Sequence, residues 1–252
     1  MNKRTIFLIA LVVFIPLNNL PMYANDVIVK PMEFKQLQIN QEQSELQTYM
    51  DCFPEISKEA MKTALAGYSA LIEAGKIIKK DIITVIDFSK PSTEERLFVI
   101  NLKTKKIIEQ SLCAHGKNSG EIFADKFSNN AESNESSLGF YLASETYNGK
   151  HGYSLKLDGL EPGINDNARA RGVVMHAADY VSKAFINATG RLGRSQGCPA
   201  VPVNQYEDII KLIKGGTCLF IYHPDKNYAQ HSAVLRHFNE SCLADALSAL
   251  SE

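Results

Sequence analysis

From Pro54 the apolar and small residues fall at helical spacing. Ile56, Ala60, Ala64, Gly67, Leu71 and Ala74 trace one face, Ser57 stands at the N-cap or in the first turn, and Gly75 stops the run. This predicts an amphipathic helix within 53–80. The pattern then shortens to that of strands: Ile82 to Phe88, followed by Arg96 to Asn101 paired with Lys106 to Ala114 across the polar turn Leu102-Lys-Thr-Lys105. Leu138 to Thr146 reads as a further strand. Tyr147 to Asn167, rich in Gly, Asn and Asp, reads as a long surface excursion that walls a cleft. An apolar strand ends on His176, a loop and short helix follow, and Cys198 sits in a Gly-flanked turn. Val203 to Lys214 is helical and stopped by Gly215-Gly216; Thr217 to His223 is a last strand. Val234, Phe238, Leu243 and Leu247 mark an amphipathic helix in the tail from Tyr228. Several strands before any second long helix predict a mainly β, α+β fold: an antiparallel sandwich or barrel with helices at both flanks, not a doubly wound sheet.

Composition narrows the class without choosing a partner. The 252 residues carry a net charge of −1 and no long basic tract, which argues against nucleic acid. The first 24 residues have the build of a targeting segment: Lys3 and Arg4, an apolar run from Ile6 to Leu17, and Met22-Tyr-Ala24 as a cleavage site. The expected outcome is cleavage after Ala24 and a periplasmic or secreted product; an uncleaved anchor is the alternative, since Met22 is large for its place. Residues 25–52 are polar and read as a linker, and 81–224 as the catalytic domain.

The chemistry concentrates in two stretches, Arg169-Ala-Arg-Gly-Val-Val-Met-His176 and Gly193-Arg-Ser-Gln-Gly-Cys198-Pro. A cysteine attacks as thiolate, so it needs a base or a positive field nearby. His176 supplies the base from a strand end. Gly197 lets an acyl group approach the backbone, and the N–H groups of Gly197 and Cys198 are oxyanion donors. Arg191 and Arg194 are expected to make the loop electropositive. Against this stands the ordinary reading of a cysteine in an exported chain as half of a disulfide, but core packing does not require the turn Ser195-Gln-Gly-Cys-Pro199. The residues alone point to a cysteine acyl-transfer enzyme.

With further blocks in order, the chain resembles the YkuD-type murein L,D-transpeptidases. These are Val85-Ile-Asp-Phe-Ser-Lys-Pro-Ser92, Ala114-His-Gly-Lys-Asn-Ser-Gly120, Ser136-Ser-Leu-Gly-Phe-Tyr141, Asn148-Gly-Lys-His-Gly-Tyr153 and Leu157-Asp-Gly-Leu-Glu-Pro-Gly163, with the His176 and Cys198 stretches. The resemblance implies the YkuD-type fold and acyl transfer on peptidoglycan stem peptides. Cys198 would attack the carbonyl of the third stem residue and expel terminal D-Ala. His176 would be the base, its ring fixed by the Ala177 carbonyl, and an amine or water would resolve the thioester. It also implies acylation by carbapenems, no cofactor and a monomer. Hydrolysis by the same site, as an L,D-carboxypeptidase, and a catalytically idle wall-binding protein are the rivals.

The chain departs from the family pattern at Gln196, where many members carry a histidine that a glutamine cannot replace as a base. Ser195 and Arg194 are candidates for orienting substrate or for holding the loop. His115 is a candidate for substrate contact or for a structural hydrogen bond, and Tyr147, His151 and Tyr153 for sugar or peptide contacts. No histidine or cysteine pair has tight metal-ligand spacing, so no metal is expected. With Cys198 as the odd thiol of five, Cys52, Cys113, Cys218 and Cys242 either pair or remain as unreactive thiols in apolar elements.

Overall fold

The computed structural model describes residues 51–150 and 152–236. The expected targeting segment and the expected linker up to residue 50, His151 and the tail from residue 237, with Phe238, Cys242, Leu243 and Leu247, lie outside the described residues.

Helix α1 spans Lys58–Glu73, and the Ser57 side chain accepts the Ala60 N–H, as an N-cap does. It buries Ala60, Met61, Ala64, Gly67, Ala70 and Leu71. Glycine inside a helix costs about 1 kcal/mol relative to alanine, but Gly67 packs against the outer end of the Phe140 ring. A Cβ there would sit 2.0 Å from Phe140 Cζ. The small residue sets how closely the helix approaches the sheet.

Eight strands follow: β1 Ile82–Asp87, β2 Leu97–Asn101, β3 Lys106–Ser111, β4 Gly139–Gly149, β5 Gly152–Gly159, β6 Val174–Ala177, β7 Ala200–Val201 and β8 Thr217–Tyr222. Helix α2, Lys183–Thr189, lies between β6 and β7. Helix α3, Tyr206–Ile213, lies between β7 and β8, and α4, Lys226–His231, follows. The strands form one sheet in the order β3-β2-β1-β8-β4-β5-β6-β7. Its two ends meet where Ala114, just past β3, pairs with Ala200 of β7, the Ala114 N–H reaching the Ala200 carbonyl at 2.8 Å. The sheet is therefore nearly closed.

The mainly β reading holds, but the sheet is mixed: β1 runs parallel to β8 and β6 parallel to β7. The β1 and β8 sequences carry the mark of this, being apolar on both faces instead of alternating. The expected excursion from Tyr147 to Asn167 is corrected. Its first half is the arm of a hairpin, with β5 pairing β4 from Gly149↔Gly152 to Tyr141↔Gly159. Leu155 and Leu157 alternate into the core with polar residues between them, a strand period that the surrounding Gly, Asn and Asp obscure. In the tail, α4 begins at Lys226 and is capped at Ser232.

The main core lies between the sheet and helices α1 and α3. It takes Met61 and Leu71 from α1, Phe140 and Phe220 stacked at 4.2 Å, and Ile209, Ile210 and Ile213 from α3. A separate small cluster of Leu112, Ala114, Val181, Leu192 and Ala200 packs where the sheet closes.

Candidate active site

Strand β6 pairs with β5 at Leu155↔Met175. Residues directly opposite share a face, so Met175 enters the main core with Leu155, while Val174 and His176 project from the other side. Along its other edge β6 pairs with β7, His176 opposite Ala200, two residues beyond Cys198. The backbone N–H of Val174 points at Cys198 Sγ from 3.5 Å, and the thiol faces the Gly172 carbonyl at 3.7 Å. The strand that carries the histidine thus also holds the cysteine's sulfur.

His176 is 4% exposed, and its Nδ1 lies 2.8 Å from the Ala177 carbonyl oxygen. A carbonyl only accepts, so the hydrogen is assigned to Nδ1 and Nε2 is the basic nitrogen. Burial pushes the Cys198 thiol above its ordinary value, and the Val174 N–H and the nearby Arg171 charge pull the other way. The thiol is not a standing thiolate, so deprotonation by a base is part of any attack it makes.

The turn before β7 is clipped from within. Ser195 Oγ donates to the Cys198 carbonyl at 2.6 Å and accepts the Gly197 N–H at 3.0 Å. Ser195 is buried and fixes the turn that carries Cys198. Its bond to the Gly197 N–H changes the expected oxyanion pair, because that donor is already used. The Cys198 N–H has no acceptor among the described residues. Gly197 has φ +120°, and a Cβ on it would lie 2.7 Å from the Glu135 carbonyl oxygen and 3.4 Å from Arg171 Nη2. Gln196 is exposed.

The arginines after α2 share one carboxylate, which offsets one of their two charges. Arg191 and Arg194 reach Glu121 at 2.8 and 2.7 Å. Arg194 also donates to the carbonyls of Lys117 and Gly120 at 2.9 and 3.0 Å. It lines a cleft of about 490 Å³ with Glu121, Phe123 and Lys126. His115 is 1% exposed and has both nitrogens engaged. Arg96, which can only donate, gives its Nη2–H to Nδ1 at 2.7 Å, and Nε2 faces the Gly120 carbonyl at 3.3 Å. Burial and the Arg96 charge bring the ring down to about 3, so it is neutral. His115 is a buttress: its carbonyl accepts the Ser195 N–H at 2.9 Å. Tyr153 lies across the sheet from His176, packed on the main core with its hydroxyl 3.2 Å from Lys214 Nζ. Tyr147 is exposed, with Lys156 Nζ 5.5 Å from its ring centre.

Sequence reasoning missed Ser136 and Arg171. Ser136 Oγ donates to the Gly197 carbonyl at 3.1 Å and accepts the Gly116 N–H at 3.0 Å, tying the turn to the end of the β3 strand line. The Arg171 guanidinium spans Ser128 to Ser137 (below). The signal for Arg171 was its place five residues before His176; Ser136 heads one of the blocks that carry the resemblance, but nothing in the sequence marks it as a contact of the cysteine's turn. Among the described residues no three His, Cys, Asp or Glu side chains gather as metal ligands. Cys113 and Cys218 are buried free thiols, Cys113 pushed up to about 12 by burial. Cys52 is exposed, contrary to its expected place in an apolar element.

A half-buried thiol on a clipped turn, on the strand pair that carries a histidine with an assigned tautomer and at the seam of a nearly closed sheet, is an arrangement that can support cysteine acyl transfer. The family profile described as the L,D-transpeptidase catalytic domain matches residues 53–222. The chain belongs to that family. Solved structures similar to it include an L,D-transpeptidase from Mycobacterium smegmatis, 12% identical with TM-score 0.36, covering 57% of this chain and 59% of that one. Another is an L,D-transpeptidase from Mycobacterium tuberculosis H37Rv, 12% identical with TM-score 0.36, covering 57% and 58%. A third, from Xylanimonas cellulosilytica, is 13% identical with TM-score 0.32, covering 61% and 68%. The chain thus spans under two thirds of the length of the first of these. No curated protein matches.

Proposed function

We propose that the protein is a peptidoglycan L,D-transpeptidase working through a thioester on Cys198. His176 Nε2 takes the thiol proton, and the sulfur attacks the carbonyl of the third, diamino acid residue of a stem peptide. The tetrahedral oxyanion is met by the Cys198 N–H. The intermediate collapses with loss of terminal D-Ala, whose nitrogen receives the proton back from His176. An amine of a neighbouring stem then attacks the thioester and frees the thiol. Burial of the thiol suits this order of events, because the proton leaves as the sulfur attacks and no standing thiolate is required. The observation that carries the reading is the pairing of His176, locked by the Ala177 carbonyl, with a cysteine held by the same strand.

Purified protein incubated with tetrapeptide muropeptides should yield cross-linked dimers and D-Ala. Trimmed tripeptide monomers alone would mean hydrolysis, and no product would mean an idle wall-binding protein. Cys198→Ala should abolish turnover with folding intact, and His176→Ala should remove most of it, a loss of several orders of magnitude. Carbapenem treatment followed by intact-mass measurement should add one adduct per chain, mapped to Cys198. Because Cys52 is also exposed, the peptide map must resolve the two.

A further inference from the structure

Arg171 belongs to the turn before β6, yet its guanidinium reaches across to another segment. Nη1 donates to the Ser128 carbonyl at 2.7 Å and to Ser137 Oγ at 2.6 Å. Nη2 donates to the Glu135 carbonyl at 2.7 Å and to Ser133 Oγ at 3.2 Å. Four bonds from one side chain therefore fold the stretch 128–137 into a strap. That strap lies on the nucleophile's turn: the Glu135 carbonyl closes the space above Gly197, and Ser136 Oγ holds the Gly197 carbonyl. Nη2 itself comes within 3.4 Å of where a Gly197 side chain would begin. A cation bound to four neutral acceptors keeps its charge uncompensated by any carboxylate in that set, next to the cysteine. Arg191 and Arg194 differ in this, since each is paired with the Glu121 carboxylate.

We propose that Arg171 is the positioning residue of this site: it holds the 128–137 strap closed over the Gly197–Cys198 turn and supplies the positive field that favours the Cys198 thiolate. It takes up the charge role that Gln196 cannot fill. The charged or titratable groups that act on the thiol are Arg171 from the turn before β6 and the Tyr180 phenol after β6, with His176 on the strand between them. The phenol is itself raised to about 12 by burial and by the cysteine, so it stays neutral. Arg171 is thus the one permanent cation among them. The assignment rests on Cys198 being the nucleophile, but it does not depend on which acyl donor is used.

The test is the pH dependence of Cys198 alkylation by iodoacetamide, followed by peptide mapping, which counts thiolate without any peptidoglycan substrate. Removing a unit charge at this range moves a thiol by about one pH unit. In Arg171→Gln the midpoint should rise by about that much, with alkylation roughly tenfold slower below it. Arg171→Lys should shift less, because the charge stays while the four-way fork is lost. A midpoint unchanged in a folded Arg171→Gln protein would overturn the assignment. Should that variant fail to fold, the double change Ser133→Ala with Ser137→Ala removes two of the four acceptors and leaves the guanidinium only the Ser128 and Glu135 carbonyls, so that its charge is held less firmly beside the thiol. An upward shift there supports the role, and none overturns it. A shifted midpoint in a protein that turns over no muropeptide would support Arg171's role while sinking the proposed function.

Discussion

Replacing Gly197 by alanine tests whether the nucleophile's turn is as tightly built as its contacts imply. Two costs arise together. At φ +120° the backbone is in a region that is nearly glycine's alone, a strain of about 1–3 kcal/mol for a residue with a Cβ. The new methyl would also stand 2.7 Å from the Glu135 carbonyl oxygen, a backbone atom held by Arg171 that cannot rotate away. Overpacking of this kind adds about 1–3 kcal/mol. The sum, roughly 4 kcal/mol, lowers the melting temperature of a domain this size by roughly 10 °C. Gly163→Ala is the matched control. Its φ is +75°, with nothing within 4 Å of the added Cβ, so only strain of about 1 kcal/mol applies there. Function should separate the two further. A turn displaced by a fraction of an ångström misaims the Cys198 N–H, and misplacement near 1 Å costs about 100-fold in rate. Thioester formation with a carbapenem should therefore slow by about that factor in Gly197→Ala. Simple alkylation, which uses no oxyanion donor, should slow much less. If Gly197→Ala melts within a degree or two of Gly163→Ala and acylates at the wild-type rate, the turn is not under this constraint.

Stability should fall as pH drops from about 6.5 toward 3. The folded state holds His115 down near 3, whereas an unfolded histidine titrates near 6.5, so the unfolded chain takes up a proton that the folded one refuses. Between pH 7 and pH 5 this amounts to at most about 2 kcal/mol, and thermal melts of His115→Gln should show a flatter decline than wild type over that interval. A parallel decline in both would remove His115 from the account. N-terminal sequencing of protein made in its native host should find Asn25 first; an intact Met1 on membrane-bound protein would favour the uncleaved anchor, and on soluble cytoplasmic protein would contradict export.

Local pattern was legible where the determinant is local. The cap at Ser57, the stop at Gly75, the β2–β3 hairpin and the Gly215-Gly216 break are each written in a few adjacent residues, and each stands where the sequence places it. The β5 strand was lost because its two core leucines sit among turn-forming residues. Parallel pairing of β1 with β8 joins segments 135 positions apart at Ile83 and Cys218, and no short-range period records it. The site divides the same way. Cys198, His176 and Gly197 show themselves by residue type and neighbours, because their chemistry is rare and their surroundings small. The groups that hold them are ordinary residues made special only by distance in the chain. Ser136 becomes a clamp because Gly116 and Gly197 come to either side of it. Arg171 becomes the buttress of a strap only once 128–137 folds back on it.

The closure of the sheet supplies the reason these meet. Ala200 is paired on one side with His176 of β6 and on the other with Ala114, just after β3. Two residues earlier in the chain stands Cys198, so the candidate nucleophile lies at the seam where β7 joins β6 and the end of the β3 line. A two-residue strand contributes little pairing energy of its own. It is held by the Leu112, Ala114, Val181, Leu192 and Ala200 cluster beneath it and by the Ser195 and Ser136 clips beside it. The geometry of attack therefore depends on barrel closure as a whole. A substitution in that small cluster, such as Leu192→Ala, removes buried apolar volume far from the thiol in chemistry but one packing layer away in structure. The fold can lose those contacts and keep its main core, which draws on separate residues. The cysteine's turn is more exposed to that loss, because β7, which follows it directly, packs on that cluster through Ala200.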